Sequence, residues 1–305
     1  MSNNWKLGLG FSLITMVMWG LLPLALKVVL EGMDPLTTSW YRFSFSAAIA
    51  LLWYGYKRVP QLKNLLSPPH LKFSLATIFA LTGNYVLYIW GLDEITPSAA
   101  QILIQLAPLM LLIGSVVIFK EQFSILQWLG VVALSAGLLL FFHQRLSSSV
   151  FTSDSYLTGI TLMIGAAMVW SIYGLAQKQL LVEHHAKDIL LLICLAGTLL
   201  LWPLSEPQQI FHLTGIELAL LIFCGANTII AYGSFGLAMS YWESSRVSAV
   251  IAITPLLTLL FTFLVNRWIS TAIPAEPLDW LSYLGALLVV SGAAVVALRK
   301  LSEDR

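Results

Sequence analysis

Charge is what this sequence has least of. Only 10% of its 305 residues are Asp, Glu, Lys or Arg, against about 25% in an ordinary soluble domain. With a net charge of +1, nothing in the composition suggests a nucleic-acid partner. Cysteine is scarce too. Cys194 and Cys224 both fall inside apolar segments and read as buried free thiols rather than a disulfide. No Asp or Glu stands in the middle of any long apolar run. A carboxylate at membrane depth is the usual proton relay, so this lack counts against proton coupling. His70, His143, His184, His185 and His212 map to links or run ends, and adjacent His184 and His185 cannot share a helical face as metal ligands. There is no Ser/His/Asp grouping and no phosphate loop. These absences predict a protein that is not an enzyme and uses neither cofactor nor metal.

Apolar length is abundant instead, at 58% hydrophobic residues. Ten apolar stretches run approximately over 7–30, 36–56, 73–92, 96–119, 124–143, 156–177, 189–204, 216–239, 247–268 and 280–298. A helix of about 20 such residues crosses a bilayer core. Barrel strands would alternate polar and apolar residues, whereas 103–119 is apolar almost throughout. The predicted class is therefore an all-α integral membrane protein with ten transmembrane helices. The first run follows Lys6 but lacks a small-x-small cleavage pattern, so it is read as a retained span. With the N-terminus inside, twelve of the sixteen basic residues fall in inner segments, and only Arg145 and Arg267 in outer ones. Lys27 and Arg42 lie within spans. The positive-inside rule then places both termini in the cytoplasm.

The chain also repeats itself. Trp19 with Trp170 and Lys27 with Lys178 coincide at one offset. Tyr85 pairs with Tyr232, Ser98 with Ser245, and Ala107-Pro108-Leu109 with Thr254-Pro255-Leu256. Trp128-Leu129-Gly130 and Gly137 pair with Tyr283-Leu284-Gly285 and Gly292. Five spans per copy is an odd number, so the second copy enters from the opposite side. The reading is two inverted five-helix repeats, 1–143 and 156–305, joined by a polar linker at 144–155.

On these residues the chain resembles the drug/metabolite transporter superfamily, in its ten-helix form with two EamA-type domains. The likeness is carried by Trp19-Gly20 with Pro23, Arg42, Gly83-Asn84-Tyr85, Ala107-Pro108-Leu109 with Lys120-Glu121, and Trp128-Leu129-Gly130 with Gly137. Trp170, Thr254-Pro255-Leu256, Gly285 and Gly292 carry it in the second half. The resemblance implies a multi-pass carrier of the inner (plasma) membrane, often an exporter, with a central cavity lined by both repeats. The second half departs from the pattern after Arg267-Trp268, where an insertion replaces the counterpart of Lys120-Glu121.

An unpaired polar side chain is costly in hydrocarbon, so polar groups inside spans face protein or a wet cavity. Gln101, Gln105 and Pro108 share one helical face; so do Asn84, Tyr88 and Gly91. Asn227 shares a face with Ser234 and Thr254 precedes Pro255. Trp19 and Trp170 lie deeper than interfacial tryptophans and suit a flat wall for an organic solute. The expected substrate-binding set is Trp19, Asn84, Tyr88, Gln101, Gln105, Trp170, Asn227 and Thr254. Packing between helices is the alternative for each, and for Ser248, Thr258 and Thr262 it is preferred. Pro23, Pro108 and Pro255 remove backbone bonds and are the expected hinge or gate positions. Arg42 joins them, either as a lock to Glu31 or Asp34, the preferred reading, or as a partner for a solute carboxylate. Lys27 is read as snorkelling to the interface.

The expected function is secondary transport of a small organic metabolite, an amino acid or related amphipathic compound, by alternating access and in the efflux direction. The alternatives are a sensor or assembly subunit that transports nothing, and a carrier of a lipid-linked or drug-like substrate. The partners are the solute and the lipid bilayer. Gly130, Gly137, Gly285 and Gly292 could pack within the chain or form a homodimer face.

Overall fold

The structure is a computed structural model, and it describes residues 5–54, 59–107, 110, 124–144, 154–242, 247, 250–268 and 278–298. All regular structure among them is helical. The helices are α1 (Trp5–Val29), α2 (Pro35–Tyr54), α3 (Val59–Leu65), α4 (Pro68–Glu94), α5 (Pro97–Leu103) and α6 (Ile125–Phe141). They continue with α7 (Asp154–Leu180), α8 (Ala186–Leu201), α9 (Gly215–Tyr241), α10 (Thr254–Trp268) and α11 (Trp280–Leu298). The short α3 and the 3₁₀ turn Pro207–His212 lie between the apolar runs, and the 3₁₀ turn Trp202–Leu204 ends the seventh.

Helix starts follow local chemistry. Asp34 Oδ1 accepts from the amides of Leu36 and Thr37 at 2.8 and 3.0 Å, ahead of Pro35. Thr96 caps α5 with Pro97 behind it. Ser124 with Gln127 and Thr214 with Glu217 close reciprocal capping boxes on α6 and α9. Asp279 caps α11, and its carboxylate also meets His143 Nε2 at 3.1 Å, joining the end of α6 to the start of α11. The backbone N–H of Ser282, its hydroxyl, Gln144 and His143 together hold the Asp279 carboxyl below the usual carboxylate range. A lowered acid stabilises the fold above its unfolded pKa and loses that contribution as pH falls through its folded pKa. Asp279→Asn is therefore expected to lower the melting temperature at pH 7. The gap to wild type should shrink on acidification, and a gap independent of pH in thermal melts would refute the cap's ionic character.

The bundle is sided for lipid. Val132, Leu139, Leu199, Ile222, Phe263 and Leu287 are exposed, while Thr37, Thr38, Ser39, Ser46 and Thr258 are fully buried. Helices of one repeat pack chiefly on helices of the other: α1 on α9, α4 on α7, α2 on α8, and α6 on α11. Exchange of the two copies maps the first two pairs onto each other and the last two onto themselves, as a two-fold axis requires.

Direction is fixed by close approaches. A Cβ on Gly137 would stand 2.7 Å from the Gly285 carbonyl, and one on Gly292 would stand 2.6 Å from that of Gly130. The early glycine of α6 thus meets the late glycine of α11, and the late one meets the early one, so the helices are antiparallel. These four glycines are occupied inside the chain and are not free for a dimer face. The α1–α9 and α4–α7 crossings share one polar bridge at equivalent positions. Asn84 Nδ2 donates to the Ala166 carbonyl at 2.9 Å, and Thr15 Oγ1 to that of Ala231 at 3.2 Å. Asn84 and Ala231, and Thr15 and Ala166, are repeat equivalents. The same crossing is bridged twice, with the donor on opposite helices.

Candidate functional site

A cavity of about 150 Å³ lies where the repeats meet. A hollow of that order accommodates a benzene ring. Trp19 of α1, Arg42 of α2, and Asn84, Tyr85 and Tyr88 of α4 line it from the first repeat, with Gln101 and Gln105 from the α5 stretch. Trp170, Tyr232 and Thr254 line it from the second. Seven of the eight expected substrate-binding residues therefore meet at one place; Asn227 is not brought to the wall.

The aromatic side is tightly built. Trp19 meets Tyr232 edge-on at 5.4 Å and Phe235 at 5.7 Å, and Tyr85 stacks on Phe43 at 4.5 Å. Sequence reasoning used Tyr85 and Tyr232 as markers of the repeat, and Tyr85 also of the family likeness, but neither as a site residue. Their paired position inside spans was the signal that could have placed them at the site.

The amides serve two purposes. Each donates its NH₂ to a backbone carbonyl on another helix or turn: Gln101 to Trp19 at 2.7 Å, Gln105 to Ala252 at 3.0 Å, and Asn227 to Met18 at 2.7 Å, beside the Asn84 bridge. A carbonyl acceptor fixes each amide's orientation, because only the NH₂ end can donate. The oxygens of Asn84, Gln101 and Gln105 then remain as acceptors at the cavity wall. The Asn227 oxygen is buried without a partner on the α1–α9 seam.

The prolines explain one of these acceptors and one further free carbonyl. Pro23 has no N–H for the Trp19 carbonyl four residues back, and that carbonyl takes Gln101 instead. Pro255 likewise frees the Ile251 carbonyl, which accepts from Thr254 Oγ1 at 2.5 Å. Pro23 and Pro255 are both buried. The carbonyls they free are thus held by side chains. Pro108, Ser248 and Lys120-Glu121 lie outside the described residues.

Arg42 departs from the expected lock. Its side chain is 3% exposed and faces the cavity. The guanidinium lies 4.2 Å from the Tyr85 ring and donates to Thr228 Oγ1 at 3.4 Å. Asp34 is engaged in capping α2 and Glu31 is exposed, so neither meets it. The Lys27 Nζ donates to the Leu92 and Asp93 carbonyls, tying the end of α1 to that of α4.

A sequence model of the EamA-like transporter family matches residues 6–143 and 157–298. The chain belongs to this family. Among EamA-like relatives, the "Uncharacterized inner membrane transporter YhbE" of Escherichia coli is 37% identical over 98% of this chain and 93% of its own. A "Probable amino-acid metabolite efflux pump" of Escherichia coli is 22% identical over 92% and 91%. A crystal structure aligns with 94% of this chain and 95% of its own at a TM-score of 0.65 and 20% identity, a likeness of fold alone. The EamA-like chain is a membrane transporter of the drug/metabolite type.

Proposed function

We propose that this transporter moves a small amphipathic metabolite, an amino acid or a close relative, out across the inner membrane by alternating access. The observation that carries the reading is the cavity contributed by both repeats, with tryptophan and tyrosine faces beside amide oxygens. Aromatic walls suit an apolar side chain. Amide oxygens accept hydrogen bonds and suit an ammonium group. The name borne by one relative, an amino-acid metabolite efflux pump, supports the same class, and the inner-membrane relative supports the location. Antiparallel repeats that pack mainly on each other supply the two bodies whose rocking would expose the cavity to either side in turn. A sensor with a solid centre would have no use for such a hollow.

Counterflow of labelled amino acids in proteoliposomes tests this. Wild-type protein is expected to exchange a subset of apolar amino acids, and Asn84→Ala to slow that exchange several-fold. Asn84 both bridges the repeats and lines the cavity, so a wild-type rate in the variant would remove it from the site. Exchange of no organic solute would overturn the transport reading.

A further inference from the structure

Among the described residues, Arg42 presents a charge without a counter-charge. All the described carboxylates sit at helix ends or in links: Glu31 and Asp34, Asp93 and Glu94, Asp154, Glu183, Asp188, Glu206, Glu217 and Asp279. None is within ion-pair distance of the guanidinium among the described residues. Of the five N–H groups on an arginine head, one makes a hydrogen bond among the described residues, at 3.4 Å, to a neutral hydroxyl. Nε is buried with no partner among the described residues. The Tyr85 face at 4.2 Å offsets part of the charge and holds the planar head in one orientation. A buried ion left in this condition costs several kcal/mol unless an anion joins it.

The cavity supplies the place for that anion. Arg42 is the single charged residue among the described cavity residues, so the site matches one negative charge rather than two. The flat guanidinium fork matches a carboxylate in two parallel hydrogen bonds. The cavity also has room for a ring-sized apolar group against Trp19 and Trp170.

We propose that Arg42 is the carboxylate-binding residue of the cavity, and that the solute carries one carboxylate. Resting on the transport reading above, this narrows its substrate class to organic acids, amino acids included. Neutral amides and amines of the same shape are excluded. Tyr85 positions the guanidinium, and the aromatic walls take the rest of the solute.

The test uses purified full-length protein in detergent and two ligands of one shape, benzoate and benzamide, read by tryptophan fluorescence and by thermal shift. Benzoate is expected to bind at least tenfold more tightly than benzamide. Arg42→Gln is expected to abolish that ratio, and Arg42→Lys, which keeps the charge but loses the fork, to retain part of it. Equal affinity of wild-type protein for the two ligands overturns the proposal whether or not the variants fold, as does a ratio that survives in Arg42→Gln. Chloride is titrated in parallel. Protection by millimolar chloride equal to that by benzoate would make the partner a simple counter-ion and overturn the proposal. Proteoliposome exchange separates the two readings. Exchange of amines or amides as readily as acids would sink the carboxylate assignment and leave transport standing. Arg42-dependent benzoate binding without exchange of any organic solute would do the reverse.

Discussion

Gly137→Leu is expected to prevent the protein from reaching a stable fold in the membrane. A Cβ at that position would lie 2.6 Å from the Val289 amide nitrogen and 2.7 Å from the Gly285 carbonyl oxygen. Both are backbone atoms of α11 and cannot rotate away. Overpacking usually costs about 1–3 kcal/mol, where neighbours can shift. Here the whole α6–α11 crossing must open, so the loss should stand at or above the top of that range. The two-fold relation sharpens the expectation: Gly292→Leu meets the Gly130 carbonyl and the Leu134 amide in the same way and should fail equally. Gly83→Ala is the control, since a Cβ there meets nothing within 4 Å. Yield of monodisperse protein on size exclusion reads all three. Gly137→Leu protein as abundant and heat-stable as wild type would contradict the close crossing.

Gln105→Leu should leave the fold in place and reduce transport at least tenfold. Leucine has a similar volume, so the bundle keeps its packing. What disappears is the donor to the Ala252 carbonyl at 3.0 Å and the amide oxygen at the cavity wall. Ala252 and Ile253 form a turn just before α10, where the regular backbone ladder is interrupted. A buried carbonyl left unpaired costs about 1–3 kcal/mol, which corresponds to roughly 5- to 150-fold in an equilibrium. That cost falls on the link between the two repeats, where alternating access would have to act. Counterflow in proteoliposomes, beside a thermal melt of the same preparation, checks both halves of the expectation. A wild-type rate would show that the Gln105–Ala252 bond serves packing alone.

Most spans were readable to within a few residues because hydrocarbon allows little else. However, α10 begins at Thr254 rather than near 247, after the turn at Ala252 and Ile253, and most of the 96–119 span lies outside the described residues. Bounds such as 216–239 against Gly215–Tyr241, and 280–298 against Trp280–Leu298, differ little. The short α3 and the turn Pro207–His212 carry no such signal. Seven or fewer residues at the membrane edge are too few for periodicity, and Pro207 mimics a simple loop. Asn84, Gln101 and Gln105 were legible as cavity-lining residues because amides inside spans are rare and costly. Their second partner, a carbonyl on another helix or turn, was not foreseeable, since helical spacing fixes a side chain's face on its own helix and says nothing of what stands opposite. Asn227 shows the same limit. Its type and depth resemble those of Asn84, yet it lies on the α1–α9 seam with its NH₂ on Met18.

Sequence alone determined the solvent of this protein, its duplication, and the short list of polar side chains that hydrocarbon would not tolerate facing out. The tertiary structure decided which of those side chains bridge helices and which reach the hollow. It turned Arg42 away from the acids at the end of α1 and onto the ring of Tyr85. It also directed the glycines of α6 and α11 at each other. The reason is geometric. Hydrophobic length and repeat order are properties of the chain taken one residue at a time, whereas rotation and crossing of helices are set by the packing of all of them together.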